Sequence, residues 1–444
     1  MREPRLSNPA DRRHGTRGRS WSALAFLTVG LLALTGCGAD GATSAASTHP
    51  PSSNATSTTN ASACVPNPQA VAVRKPGKTS TGKLPAELSA TLNAAASAAF
   101  AATAVPGAVV GVRTPKGTWT KAYGVADITT NEPLTTDVHH RVGSVTKTFT
   151  GTVIMQLVSE KKISLTDAIS KYVPNVPNGS NITILELANM TSGLADYTHD
   201  PAFQKLYFGG DYSIVWTVDQ VLATAYAMQP AFAPGAGFHY SNTNTVLLGQ
   251  VIEKVTGHRL ADELKRRIFT PLRLTATSYP GGSAIIPTPH AHGYTNLGIV
   301  DGVASANAPR VDATAWNVSQ AGASGEIISR VDDLLTYGRA LGTGQGLLPE
   351  AAQIKRLSSF PEPAGYGIGL NCVQGWVGHN GLVPGYNTEL EYDTRTDTTV
   401  VVEVNGDLAA GTPEALPAGA LFTAVAAALG QPIVGADPRS DDQE

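Results

Sequence analysis

The chain has 444 residues, with 32 Lys plus Arg, 35 Asp plus Glu and three Cys. Charged residues make up 15%, against roughly 25% in an average soluble domain, and the net charge of −3 comes with no Lys/Arg stripe beyond the N-terminus, so nucleic acid is excluded as a partner. With so few Cys and no CxxC or Cys/His cluster, a disulfide-dense scaffold and a metal site are excluded, and no cofactor motif appears.

In chain order, the first 19 residues hold six Arg against Glu3 and Asp11, followed by an uncharged apolar run that ends in Leu34-Thr35-Gly36-Cys37. A basic region, an apolar region and small residues before a cut form an export signal, residues 1–36. The apolar run is short for a spanning helix of roughly 20 residues, although an uncleaved anchor is the other reading. Residues 37–83, rich in Ala, Ser, Thr and Pro, have little to bury and read as a disordered tether. A folded domain is expected over 84–435, followed by an acidic tail, 436–444.

Within that domain, 86–103 has helical propensity, and 107–115 and 117–125 read as paired strands around a Pro-Lys-Gly turn. Helices are expected at 144–160, at 183–190 with Thr183 and Glu186 as a capping box, at 243–256 closed by Gly257, and at 330–341 capped by Ser329. Strand signals at 365–370, 386–393 and 398–404 precede a helix at 414–429. Strands at both ends with helices between them predict an α+β fold: an antiparallel sheet built from the two chain ends, flanked by helices, with a mostly helical insertion.

Chemistry begins at Gly143-Ser144-Val145-Thr146-Lys147. A Ser and a Lys three apart at a helix start share one face. The hydroxyl needs an adjacent base, which a Lys held neutral by burial supplies, and the helix start adds N–H groups near a developing oxyanion. The same spacing at Ser80–Lys83 falls in the tether, and at Ser159–Lys162 it falls at a helix end, where a surface Lys is ordinary. Tyr240-Ser241-Asn242 precedes a helix, and His379-Asn380-Gly381 lies between strand signals. Tyr294-Thr295-Asn296 repeats the Tyr-x-Asn pattern and reads as a loop, and His139-His140 has no ligand spacing.

In that order, Ser-x-x-Lys, Tyr-x-Asn and His-x-Gly resemble the three motifs of the penicillin-recognising serine hydrolases, in the branch of class C β-lactamases, D-alanyl-D-alanine carboxypeptidases and related esterases. Framework segments over most of the domain are similar too, among them Thr191-Ser192-Gly193-Leu194, Ala323-Ser324-Gly325 and Tyr366-Gly367-Ile368-Gly369. The resemblance implies Ser144 as nucleophile, Lys147 as base or proton relay, and Tyr240 as the acid/base group that serves the leaving amine. It further implies Asn242 on the substrate's acylamide carbonyl, His379 on the strand edge opposite Ser144, and the N–H groups of Ser144 and Leu382, beside Gly381, as the oxyanion hole. Separately, Leu34-Thr35-Gly36-Cys37 resembles the bacterial lipoprotein box, which implies lipidation of Cys37 and a monomer anchored to the outer face of the cell membrane.

His379 stands where most β-lactamases carry Lys, which favours the peptidase and D-amino-acid amidase side of the family. Between Tyr366 and Gly378, however, no Lys or Arg is available for a substrate's terminal carboxylate. The reading is an exported acyl-serine hydrolase, D-alanyl-D-alanine carboxypeptidase-like or a related peptidase or amidase. It would act on peptidoglycan-type peptides or small esters and amides, with β-lactams as acylating ligands. An esterase or weak class C-type β-lactamase, and a non-catalytic wall- or penicillin-binding lipoprotein, are the alternatives. With Cys37 lipidated, Cys64 and Cys372 are an even pair in an oxidising compartment, which suggests a disulfide, the other outcome being a buried Cys372 and a free Cys64.

Overall fold

The computed structural model describes residues 64–76, 82–300, 303–305, 307–361, 365–407 and 416–433. The expected signal peptide, Cys37, the tether up to residue 63, Ser80 and the acidic tail lie outside these residues.

β-branched residues alternate faces at both ends of the chain, and the two ends meet in one sheet. The N-terminal part supplies β1 (Gly107–Thr114), β2 (Gly117–Asp127) and the short β3 (Glu132–Pro133). The C-terminal part supplies β4 (Tyr366–Gly367), β5 (Leu370–Val373), β6 (Trp376–Val383), β7 (Tyr386–Asp393) and β8 (Thr398–Val404). The order is β4-β5-β6-β7-β8-β1-β2-β3, and β8 joins β1 antiparallel with Val110 opposite Val402. Both faces of the central strands are covered, so β1 and β8 carry consecutive valines, at 109–110 and 400–402, rather than an apolar-polar alternation. Val110, Val112, Val400, Val402 and Val404 pack with Leu92 of α2 (Ala86–Ala102) and with Leu421 and Phe422 of α8 (Pro417–Ala428). On the other face, Val109 and Val401 meet Leu334 and Leu335 of α7 (Val331–Thr343). Each such side chain contributes about 1.5–3 kcal/mol by leaving water.

The helical insertion is built around α3 (Thr146–Ser159), buried from Thr146 through Leu157. Its threonines fit because their hydroxyls find carbonyls: Thr148 Oγ1 donates to Val145 O at 2.7 Å and Thr150 Oγ1 to Ala323 O at 2.8 Å. Beside it lie α4 (Ile184–Ala188), with its Thr183/Glu186 capping box, α5 (Pro201–Tyr207) and α6 (Asn242–Thr256), which ends on left-handed Gly257.

Several elements differ from the sequence reading. Residues 64–76 do not continue a tether to Lys83: α1 (Pro68–Ala72) forms there, Val65 and Val71 enter the core, and Cys64 is bonded to Cys372 on β5, 308 residues away. Ser329 caps no helix. It sits in a two-strand pair with His140, its hydroxyl 2.8 Å from that of Thr277, and Arg330 occupies the N-cap position of α7. The signal at 365–370 is split into β4 and β5 by Gly369, which takes φ +64. Between the strand signals at 365–370 and 386–393, His379-Asn380-Gly381 lies on β6, a strand whose two glycines and asparagine give no strand signal of their own. Tyr294–Thr295 is a short strand rather than a loop.

Candidate active site

Ser144 is placed by the turn before α3. Gly143 takes φ +53, and residues 143–145 form a 3₁₀ turn rather than the first turn of the α-helix. Ser144 in that turn and Lys147 in the first turn of α3 are three residues apart and share one face, which sets the Lys147 Nζ against the Ser144 hydroxyl at 2.8 Å. Gly143 is also required by space: a Cβ there would lie 2.6 Å from Leu382 N. Gly381 is equally crowded, its Cβ position 3.0 Å from Ser144 N. β5 pairs with β6 only as far as Gly378, and beyond it β6 runs against the turn that carries Ser144.

Lys147 is fully buried, and its Nζ donates to Ser144 Oγ (2.8 Å), Asn242 Oδ1 (2.7 Å) and Ser324 O (3.0 Å). Burial pulls its pKa down from 10.5 to about 7, opposed by the charge of Asp196. Tyr240 completes the group. Its hydroxyl donates to Ser144 Oγ at 2.9 Å, and its ring centroid lies 4.8 Å from Lys147 Nζ. The arrangement can take a proton from a serine hydroxyl and return it to a leaving group on the same side.

Asn242 is held from two sides. Its Oδ1 faces Lys147, while its backbone N–H and its Nδ2 donate to Asp196 Oδ2 at 3.0 and 2.8 Å. One Nδ2 proton is therefore committed and one is left for a substrate carbonyl.

His379 is 1% exposed and sits behind Tyr240, with ring centroids 6.0 Å apart, instead of lining the cavity over Ser144. Its Nδ1 lies 2.6 Å from Asn380 O, which only accepts, so Nδ1 carries a proton, and Nε2 is hydrogen-bonded to the Tyr366 hydroxyl at 3.0 Å. The pair backs the Tyr240 ring, and Leu382 rather than Gly381 reaches the cavity.

Above Ser144 opens a cavity of about 370 Å³. Phe203 and Tyr207 of α5, Phe208, Leu297 and Val383 form an apolar wall, and Asp196, Tyr240 and Asn242 the polar side. Among the described residues lining it there is no Lys or Arg, and Asp196 is the one carboxylate. No group of three or more His, Cys, Asp or Glu among the described residues could hold a metal.

Asp196, Tyr366 and the aromatic wall were not marked as site residues by the sequence. Tyr366 was visible as part of a framework segment, but nothing local distinguishes Asp196 or Phe203 from any buried carboxylate or ring.

A family model described as Beta-lactamase matches residues 92–424. A D-stereospecific amidohydrolase from Streptomyces sp. is 38% identical, with a TM-score of 0.65 over 72% of this chain and 95% of that one. The D-amino acid amidase of Ochrobactrum anthropi SV3, solved with D-phenylalanine, is 25% identical, with a TM-score of 0.67 over 78% of this chain and 99% of its own. A D-aminopeptidase of Brucella canis is 27% identical over 314 residues, which is 68% of this chain and 57% of the relative's length. The chain thus spans less than two thirds of that curated relative.

Proposed function

We propose, from the premise that this chain belongs to the Beta-lactamase family of serine hydrolases, that it hydrolyses amides of D-amino acids with bulky apolar side chains. The observation that carries this is the Ser144–Lys147–Tyr240 group beneath an aromatic-walled cavity whose lining holds no Lys or Arg for a substrate carboxylate. A carboxypeptidase substrate ends in a carboxylate next to the scissile bond and would find no Lys or Arg in the lining to pair with it. A D-amino acid amide presents an ammonium and a neutral amide, which suit a cavity whose one carboxylate is Asp196. Relatives named D-aminopeptidase, D-stereospecific amidohydrolase and D-amino acid amidase support the same side of the family.

In this reading the Ser144 Oγ–H proton passes to neutral Lys147 as Oγ bonds to the carbonyl carbon. The N–H groups of Ser144 and Leu382 hold the oxyanion. Tyr240 passes a proton to the departing amine, the C–N bond breaks, and water then cleaves the acyl-Ser144 ester by the same relay. Asn242 steadies the acyl portion with its remaining Nδ2 proton, and His379 acts through Tyr366 and Tyr240 rather than on the substrate. β-Lactams enter the same site as acylating ligands.

The test is ammonia release from D-phenylalaninamide set against the L-enantiomer, an N-acetyl-D-Ala-D-Ala peptide and a chromogenic cephalosporin. Preferential turnover of the D-amide supports the reading. Turnover of the dipeptide or the cephalosporin with the D-amide untouched refutes it.

Export with a lipid on Cys37 belongs to the same proposal. It is supported by the Arg-rich and apolar N-terminus before Leu34-Thr35-Gly36-Cys37 and by the Cys64–Cys372 bridge, since disulfides persist in oxidising compartments. Cys37→Ala is expected to leave the protein uncleaved or released from membranes. A mature N-terminus well downstream of Cys37, carrying no lipid mass, would refute it.

A further inference from the structure

We propose that Asp196 is a positioning residue that locks the Asn242 side-chain amide so that its oxygen, and not its nitrogen, faces Lys147. Asp196 is 2% exposed and follows Thr191-Ser192-Gly193-Leu194-Ala195. Its Oδ1 accepts the Thr198 N–H at 3.0 Å and so caps the 3₁₀ turn 197–199. Its Oδ2 accepts both the backbone N–H and the Nδ2 of Asn242. The two ends of a side-chain amide are nearly the same in shape, so only its partners choose its orientation. A carboxylate accepts and cannot donate, so the Nδ2 end must face Asp196 and the Oδ1 end must face Lys147.

That orientation directs the lysine. Asn242 Oδ1 and Ser324 O are both acceptors, and each takes an N–H from Nζ. The third position on Nζ points at Ser144 Oγ. It holds a proton when the lysine is charged and the lone pair when it is neutral. The neutral amine is thereby aimed at the Ser144 hydroxyl proton. With the amide reversed, Asn242 would offer an N–H to the same nitrogen, and the lone pair would turn toward it and away from the serine. Asp196 also sets a negative charge near Lys147 that favours the ammonium. The other titratable groups about this pair are Tyr240 over Lys147, Tyr197, His199 and His239 beside Asp196, and His379 with Tyr366 behind Tyr240.

The inference rests on Ser144 as nucleophile and Lys147 as its base. The experiment measures covalent labelling of the purified protein by a fluorophosphonate probe between pH 5 and 9, by intact mass, with Ser144→Ala as control. Asp196→Asn is expected to label roughly 10²-fold more slowly on the alkaline plateau, the size of effect a misdirected catalytic group produces. Its acid limb is expected to move to lower pH, because a charge favouring the ammonium is gone. Asp196→Glu keeps the charge but shifts the carboxylate, so it should label more slowly with the acid limb near that of the wild type. Labelling of Asp196→Asn at the wild-type rate, or a slower rate with an unmoved acid limb, overturns the proposal. If Asp196→Asn does not fold, Asp196→Glu decides: an unaltered rate or a displaced acid limb overturns it. Failure of the underlying assignment looks different, since labelling would then persist in Ser144→Ala or the wild type would show no acid limb.

Discussion

The protonation state of Lys147 is the most exposed part of the mechanism. An ordinary surface lysine at pH 7 is neutral in about one molecule in 3,000. Here burial lowers the pKa to about 7, so roughly half the molecules carry the free amine at neutral pH. The acylation rate requires that amine. It should level off above about pH 8 and fall tenfold for each pH unit below 7, reaching about 100-fold loss at pH 5. The assay is the rate of covalent labelling by an uncharged fluorophosphonate or ester, whose own reactivity does not titrate in this range. Lys147→Arg keeps a cation on Ser144 but cannot release its proton, and is expected to lose a factor of roughly 10² or more at every pH. A wild-type rate that is flat from pH 5 to 8, or a Lys147→Arg protein that labels at the wild-type rate, would refute the assignment of Lys147 as the base.

Three further outcomes follow from the same geometry. Ser144→Ala should abolish labelling, and adding Lys147→Ala to it should change residual turnover little, because the two act as a unit; kcat/KM of the single and double variants checks this. Gly143→Ala places a Cβ 2.6 Å from Leu382 N at a left-handed position, so it should lower kcat strongly with a smaller change in KM, as loss of oxyanion geometry requires. Replacing Cys64 and Cys372 together by Ala removes a link across 308 residues and should cost about 2–5 kcal/mol in denaturant unfolding; an unchanged midpoint would show that the bridge stabilises nothing.

What the sequence alone determined is what neighbours along the chain decide. Ser144 and Lys147 are three residues apart, so any helical turn brings them together, and the Thr183/Glu186 box and the closure of a helix by Gly257 are likewise one-turn events. The valine-rich runs of 107–114 and 398–404 announced strands, and the order of the Ser-x-x-Lys, Tyr-x-Asn and His-x-Gly segments announced the family. The tertiary structure decided everything that depends on distance through space. It set the His379 ring in a buried place behind Tyr240, because β6 alternates its faces and that position points into the aromatic cluster with Tyr366. It drew Val65 and Val71 into the core, where their apolar surface leaves water, although the composition around them resembles a tether. It brought Asp196 to Asn242 across 46 residues and Ser324 to Lys147 across 177. A carboxylate or a carbonyl has no periodicity that reveals its partner. Only burial, which removes water as the competing partner, makes such contacts strong enough to orient an amide and to hold a lysine near neutrality.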